Sequence, residues 1–377
     1  MSTQITRSGA ETQLRETARR AAEELAAESE VPTLLLCGKT GAGKSSLLNA
    51  MMGALVQEIG VAPTTEEPRA IPFDDELTLR AIDVPGFGEA DAHEAHLETM
   101  VAHLDQAHLA LVVVGFPDRA LDHESAFLQA LRRRFGGPEA YPVLLIPNKI
   151  DLAPPARDWD PSTFQLDDPS SNKARALSPW LDHIEASLCR VVTPRAIVPC
   201  AAGEGWTDTA HQYGITALQD AIYTALPDAA KRYFARLLRD EAIRDREARR
   251  IVLTHTAAAA AATAQPIPAL PDAVLIAPVQ VKMILALASI YGADPEALDP
   301  VKLLGPVMAS VGGPMAFHQL SKLVPGWGSV LGASVAGTIT LSLGEAYHQL
   351  LKAGILAPTT GQVLSAFAEA WQLRTSR

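Results

Sequence analysis

The sequence predicts an α/β domain built on a mostly parallel, six-stranded sheet, followed by a small all-α apolar domain. Three observations predict it. Between residues 31 and 226, apolar runs of strand length alternate with helical stretches, the pattern of a parallel sheet covered by helices. The runs end beside clusters of Gly, Asn, Asp and small residues, and open α/β sheets bind ligands beyond the carboxyl ends of their strands. Beyond residue 250 charge almost vanishes: from Ile251 to Gly344 the only charged residues are Asp272, Lys282, Asp294, Glu296, Asp299, Lys302 and Lys322.

The elements follow in order. Residues 1–30 are expected to form an N-terminal helix, because 11–30 are charged throughout and carry Leu14, Ala18, Ala21, Ala22 and Leu25 near a 3.6-residue period. No apolar core of a secretory signal is present in it. The helix is expected to pack on the α/β domain. Strand-like runs lie at 33–38, 77–86, 109–116, 141–148 and 195–200 within a domain spanning 31–226. Residues 153–175, rich in Pro, Asp and Ser, read as a surface insertion. Residues 227–265 read as a charged connecting helix and an alanine-rich linker, and 266–377 as a hydrophobic helical domain. At 377 residues, 48% hydrophobic and 20% charged, the chain is long enough for two folded domains. A net charge of −11 argues against nucleic acid as the main partner. Cys37, Cys189 and Cys200 have neither disulfide nor metal spacing, which suits a reducing cytoplasm.

Five motifs carry chemistry. Gly38-Lys39-Thr40-Gly41-Ala42-Gly43-Lys44-Ser45 stands between a strand and a helix and matches G-x-x-x-x-G-K-[ST]. Its glycines let backbone N–H groups turn around phosphates at a helix N-terminus. Lys44 is expected to reach the β- and γ-phosphates and the Ser45 hydroxyl to ligate Mg²⁺, with Thr40, Gly41, Ala42, Gly43 and Ser46 completing the nucleotide contacts. Asn148-Lys149-Ile150-Asp151 follows the strand VLLIP. The Asp151 carboxylate can accept from both guanine N1–H and the 2-amino group, donors that adenine lacks, and Lys149 would lie along the base. Asp83-Val84-Pro85-Gly86 ends a strand between these two motifs. Asp83 would hold Mg²⁺ through water and the Gly86 N–H would meet the γ-phosphate. Thr64 and Thr65 lie about twenty residues after Lys44, and Thr65 is favoured to close over Mg²⁺ and the γ-phosphate. Ala201 and Ala202, after the last strand, would offer a backbone N–H to guanine O6. The expected ligands are therefore GTP or GDP with Mg²⁺, and Lys44, Thr65 and Gly86 are the candidate catalytic groups.

In this order the motifs resemble the translation-factor-like class of P-loop GTPases, nearest to its Era-like branch, over residues 31–226. With its C-terminal half the chain resembles bacterial GTPases carrying a hydrophobic domain of unknown function, family 697. The matching features there are the Pro-rich entry with Asp272, then Gln280, Met283 and Tyr291-Gly292, and the later stretch from Leu323 to Leu351. The resemblance implies a G domain that hydrolyses GTP as a molecular switch. Two positions depart from it. Phe87 stands where Ras-like members place the water-orienting glutamine, which implies slow turnover without an activator or dimer partner. Gly41 stands where potassium-activated relatives place asparagine, which argues against K⁺ stimulation.

Residues 303–321 and 323–344 are uncharged runs long enough to reach into a bilayer, and small residues there would permit close helix contact. A buried soluble bundle explains the same composition. The expected partners beyond GTP are membrane lipid or a membrane protein, with a homodimer as a further candidate, and the expected location is the cytoplasm or the inner face of the cell membrane. An RNA-linked, ribosome-assembly GTPase and a GTP-binding scaffold with little hydrolysis are the alternatives. His93, His96, His103, His108 and His123 read as surface residues rather than a metal site, and the arginines at 132–134 as a solvated helix face. Trp159, Trp180 and Trp206 read as packing residues.

Overall fold

The computed structural model describes residues 2–53, 69–74, 77–83, 105, 107–155, 157, 159–205, 207–238, 240–264, 272–293 and 331–375. The chain divides into two compact units, Val31–Leu238 and Met1–Glu30 together with Arg239–Arg377.

The first unit is built on β1 (Thr33–Cys37), β2 (Arg69–Asp74), β3 (Leu77–Asp83), β4 (Leu109–Gly115), β5 (Val143–Asn148) and β6 (Ala196–Ile197), in the order β2-β3-β1-β4-β5-β6. The expected sheet of six mostly parallel strands resolves into a four-strand parallel body, β3-β1-β4-β5, with unlike edges. β1, β4 and β5 are near-continuous apolar runs because a parallel sheet is covered on both faces. β2 pairs antiparallel with β3 at one edge. No apolar run marks β2, since Pro72 interrupts it and only one side is paired. β6 has two residues, and Pro194 and Pro199, which lack an N–H, flank it.

Among the described residues, helices α2 (Lys44–Met52), α3 (Asp122–Phe135), α4 (Asn172–Leu188), α5 (Ile215–Ala225) and α6 (Asp228–Leu238) also belong to this unit. Phe127, Leu128 and Leu131 of α3 and Leu177, Trp180, Ile184 and Leu188 of α4, spaced to share one face of each helix, join Leu35, Val112, Val114 and Leu145 in one core. Arg132, Arg133 and Arg134 end α3 exposed, where cations complement the helix dipole. The segment after Asp151 is more than a surface insertion: Trp159, Phe164 and Leu166 pack against the same core.

The second unit holds α1 (Ser2–Ala27), α7 (Glu241–Ala264), α8 (Asp272–Ile290), α9 (Leu331–Lys352) and α10 (Thr360–Thr375). α1 corrects the expectation for residues 1–30. Its Ala18, Ala21 and Leu25 are buried in the core of this unit with Val281, Ile284 and Leu285 of α8, and Lys282 bonds Glu24 and Glu28 at 3.1 and 2.7 Å. The single charged connecting helix is also corrected. It falls into α6, ending at Leu238, and α7, beginning at Glu241, which belong to different units, and the Asp240 carboxylate accepts from the Ile243 N–H at 2.9 Å to start the second helix. The alanine run 257–262, expected to be helical within a linker, is the last third of α7.

From Val281 to Ile290 nearly every residue of α8 is buried, which accounts for its carrying a single charge there, Lys282. Among the described residues no helix is long and apolar enough to cross a membrane. The run 303–321 and the first part of 323–344 lie outside the described residues. The small residues of α9 serve helix contact here. A Cβ on Gly337 would sit 3.6 Å from the Ala260 methyl, and one on Gly344 would sit 2.8 Å from both Val252 methyls and 3.0 Å from the Met283 sulfur. Val252 is branched and cannot swing aside. Gly344→Ala is therefore expected to cost about 1–3 kcal/mol through overpacking, seen as a lower thermal unfolding midpoint by circular dichroism. An unchanged midpoint would mean that α7 and α9 do not meet so closely.

Candidate nucleotide-binding site

The carboxyl ends of four strands bring the motifs together. In register, Leu36 of β1 stands beside Asp83 of β3, Cys37 beside Val112 of β4, and Gly115 of β4 beside Asn148 of β5.

Beyond β1 the chain makes a tight loop into α2. Gly38 has φ +150°, and a side chain there would collide with the Val113 carbonyl. Gly43, at φ +92°, caps α2 in a left-handed conformation that glycine adopts without penalty. The first helical bond runs from the Leu47 N–H to the Gly43 carbonyl at 2.9 Å. The amides of Lys44, Ser45 and Ser46 therefore stand at an open helix N-terminus, which favours phosphate. Lys44 is 9% exposed, and its ammonium donates to the Gly38 carbonyl at 2.9 Å and the Lys39 carbonyl at 3.5 Å. The loop thus carries both its amides and its cation at one place.

Asn148 joins this loop to the second motif. It is 1% exposed and its amide donates to the Ala42 carbonyl at 2.9 Å. Its Oδ1 is buried with no hydrogen-bond partner among the described residues. Lys149 has φ 61°, rare for a side chain of its size, and its stem runs within 3.4 Å of where a Cβ on Gly43 would lie. Asp151 sits in the short 3-10 turn Ile150–Leu152. Burial raises its carboxyl above the ordinary value, opposed by its own N–H and by the charges of Lys173 and Lys149.

The fifth motif closes against these. The Ile150 N–H meets the Cys200 carbonyl at 3.3 Å, and Ala201 exchanges both backbone bonds with Tyr213 at 3.0 Å. Ala201 and Ala202 are buried. Burial raises the Cys200 thiol, so it is inert packing.

Asp83 lies at the strand end expected of it. Thr65, Gly86 and Phe87 lie outside the described residues, as do Thr64, Trp206, His93, His96 and His103. His108 accepts from the Thr33 N–H at 3.0 Å, a structural contact. Among the described residues no group of three or more His, Cys, Asp or Glu could hold a metal ion. For Mg²⁺ the donors are of another kind: a hydroxyl in the first turn of α2 and an acidic residue ending the neighbouring strand. Hard oxygen donors suit that ion.

Sequence reasoning missed several supports. Lys39, a variable position of its motif, bonds the Asp118 carboxylate at 2.7 Å and the Ala120 carbonyl. Burial pushes Asp118 up, but Lys39 and the Ala120 and Arg119 N–H groups hold its carboxyl below the usual value. The Trp180 indole donates to the Asp118 carbonyl at 2.6 Å, beyond mere packing. Lys173 donates to the Asp151 carbonyl at 2.7 Å. None of these carries a motif signature, since each partner is distant in sequence.

Known proteins match both parts of the chain. Residues 33–149 match the family described as 50S ribosome-binding GTPase, and residues 230–374 match the domain of unknown function DUF697. The uncharacterized protein YfjP of Escherichia coli is 30% identical over 127 residues, 33% of this chain and 43% of its own. The tRNA modification GTPase MnmE of Psychrobacter cryohalolentis is 36% identical over 126 residues, covering 32% and 26%. GTPase Era of Treponema pallidum is 28% identical over 207 residues, covering 53% and 59%. The chain thus spans less than two thirds of the length of each of these relatives. Among solved structures, Toc33 from Arabidopsis thaliana in complex with GDP and Mg²⁺ is similar at 22% identity, covering 56% of this chain and 91% of that one, with a TM-score of 0.35. That likeness is too distant to carry an argument about the site. The chain joins a GTP-binding P-loop domain of the translation-factor-like kind to a DUF697 domain.

Proposed function

We propose that this chain hydrolyses the γ-phosphate of GTP and that the change from GTP to GDP switches the engagement of its helical unit with a membrane surface or a protein partner. The observation that carries the reading is the Asn148 bond to the Ala42 carbonyl, which builds the base-reading and phosphate-holding loops into one frame. A frame fixed before binding spends little free energy on ordering.

In this reading the amides of Lys44, Ser45 and Ser46 and the Lys44 ammonium hold the phosphates and take up charge on them. Asp151 and Lys149 hold the base, and the backbone at Ala201 and Ala202 meets its O6. Ser45, Asp83 and Thr65 would hold Mg²⁺, which when bound supplies charge neutralisation on the phosphate oxygens. Gly86 and Thr65 would report the γ-phosphate. Phe87 has no group to orient water, so turnover is slow without an activator or a second copy of the chain. The proposed location is the cytoplasm, at the inner face of the membrane when engaged.

The matched family's description supports a second reading, an RNA- or ribosome-linked GTPase, against which stands the net charge of −11. A scaffold that binds GTP and barely turns it over is the third. GTP turnover by the full chain with Mg²⁺, alone, at rising protein concentration and with anionic liposomes, tests the proposal. The expected result is roughly 10⁻³ s⁻¹ or slower alone, the range of an unassisted G domain, with acceleration in one of the other two conditions. No turnover in any condition leaves the scaffold reading, and RNA that co-purifies with the protein favours the second.

A further inference from the structure

The segment that follows Asp151 carries a lysine where general physics disfavours one. Lys173 is the second residue of α4, in the turn whose dipole opposes a cation, and it is 2% exposed. A lysine this buried is rare unless its charge is satisfied. Its ammonium is satisfied by the carbonyls of Asp151, at 2.7 Å, and Ala153, and it lies 5.4 Å from the centre of the Trp159 ring.

Trp159 is itself fixed. Its indole donates to the His211 carbonyl at 2.9 Å, and its ring packs with Phe164 and Tyr213 at centroid separations of 5.3 and 6.0 Å. Tyr213 is the residue that pairs with Ala201. One lysine and three aromatic rings therefore connect the loop bearing Asp151 to the loop bearing Ala201, the two loops assigned to the base.

We propose that Lys173 is a positioning residue for guanine recognition: through the Asp151 and Ala153 carbonyls and the Trp159 ring it fixes the loop from which the Asp151 carboxylate reads the base. This rests on the guanine reading above and adds to it a residue outside the four-residue motif. The charge of Lys173 also acts on the carboxylate. Burial raises the Asp151 carboxyl, and Lys173 from α4 and Lys149 from its own loop are the cations that oppose the rise. Only the ionised carboxylate accepts both guanine donors, so affinity is lost as pH falls through its raised pKa. Removing the Lys173 charge moves that loss to higher pH. The nearby His211–Asp208 pair titrates as well, but it is common to wild type and variant and cancels when they are compared at each pH.

The test is GDP affinity by calorimetry on the full chain from pH 5.5 to 8, for wild type and Lys173→Met, with ADP as control. The expected result is about a tenfold loss at pH 8, the scale of one lost charge-assisted hydrogen bond, and a larger loss at low pH. Lys173→Gln, neutral but able to donate, stands in if Lys173→Met does not fold, and should show the same displaced pH profile. Unchanged GDP affinity and pH profile overturn the proposal while leaving base recognition intact. So does a loss parallel at every pH, or a failure of both variants to fold, either of which makes Lys173 a structural brace alone. A wild type that fails to prefer GDP over ADP sinks the guanine reading itself.

Discussion

Lys44→Ala is expected to remove measurable affinity for GTP and GDP, a loss of at least about a hundredfold. Hydrogen bonds to a charged partner contribute roughly 1.5–3 kcal/mol each, and Lys44 is placed to give more than one to the phosphates. The ammonium is 9% exposed and already lodged in the loop through the Gly38 carbonyl, so little ordering is left to oppose binding. The unliganded variant loses the bonds to the Gly38 and Lys39 carbonyls, roughly 1.5–3 kcal/mol in all because the second is long, and should stay folded. The two effects separate in a thermal shift assay. A ligand at a hundred times its dissociation constant stabilises the wild type by about 2.7 kcal/mol, whereas the variant's midpoint should not move with added GDP. A variant that keeps its affinity would mean that the triphosphate does not lie across the β1–α2 turn.

Asp151→Asn is expected to reverse base preference rather than abolish binding. The carboxylate accepts from the guanine N1–H and 2-amino groups. An amide in its place offers one acceptor and one donor, which clashes with the 2-amino group but matches the 2-oxo group of xanthine. Two charge-assisted bonds at roughly 1.5–3 kcal/mol each set the loss for GTP at about a hundred- to ten-thousandfold. Competition between GTP and xanthosine triphosphate for the variant reads the result. The Asp151 backbone carbonyl remains bonded to Lys173, so the loop should hold its shape. Equal affinity of wild type and variant for GTP would remove Asp151 from base recognition.

The legible parts of the site are those whose geometry is local. Gly38 and Gly43 announce backbone turns that other residues cannot make, and Lys44 and Ser45 follow because the helix must begin there. Asn148 and Asp151 follow an apolar run that must be a buried strand. The break between α6 and α7 was written in the sequence as Asp240, a good helix cap three residues before Ile243. Charged residues run continuously on either side of it, so no change of composition marks the boundary. By contrast, Lys39 finds Asp118 and Lys173 finds Asp151 across loops of unrelated sequence. One-sided β2, interrupted by Pro72, falls below what hydrophobic runs can signal.

By itself the sequence determined the class of the first unit, the order of its motifs and which residues stand at the carboxyl ends of its strands, because periodicity, glycine conformation and capping act within a few residues. Tertiary structure alone decided that α1 belongs with α8, that the charge-poor α8 is the buried centre of a helical core, and that the segment after Asp151 packs against the core of the first unit instead of hanging from the surface. The reason is physical: an apolar face or a buried ammonium declares that it needs a partner, but which partner satisfies it is settled only when distant segments pack together.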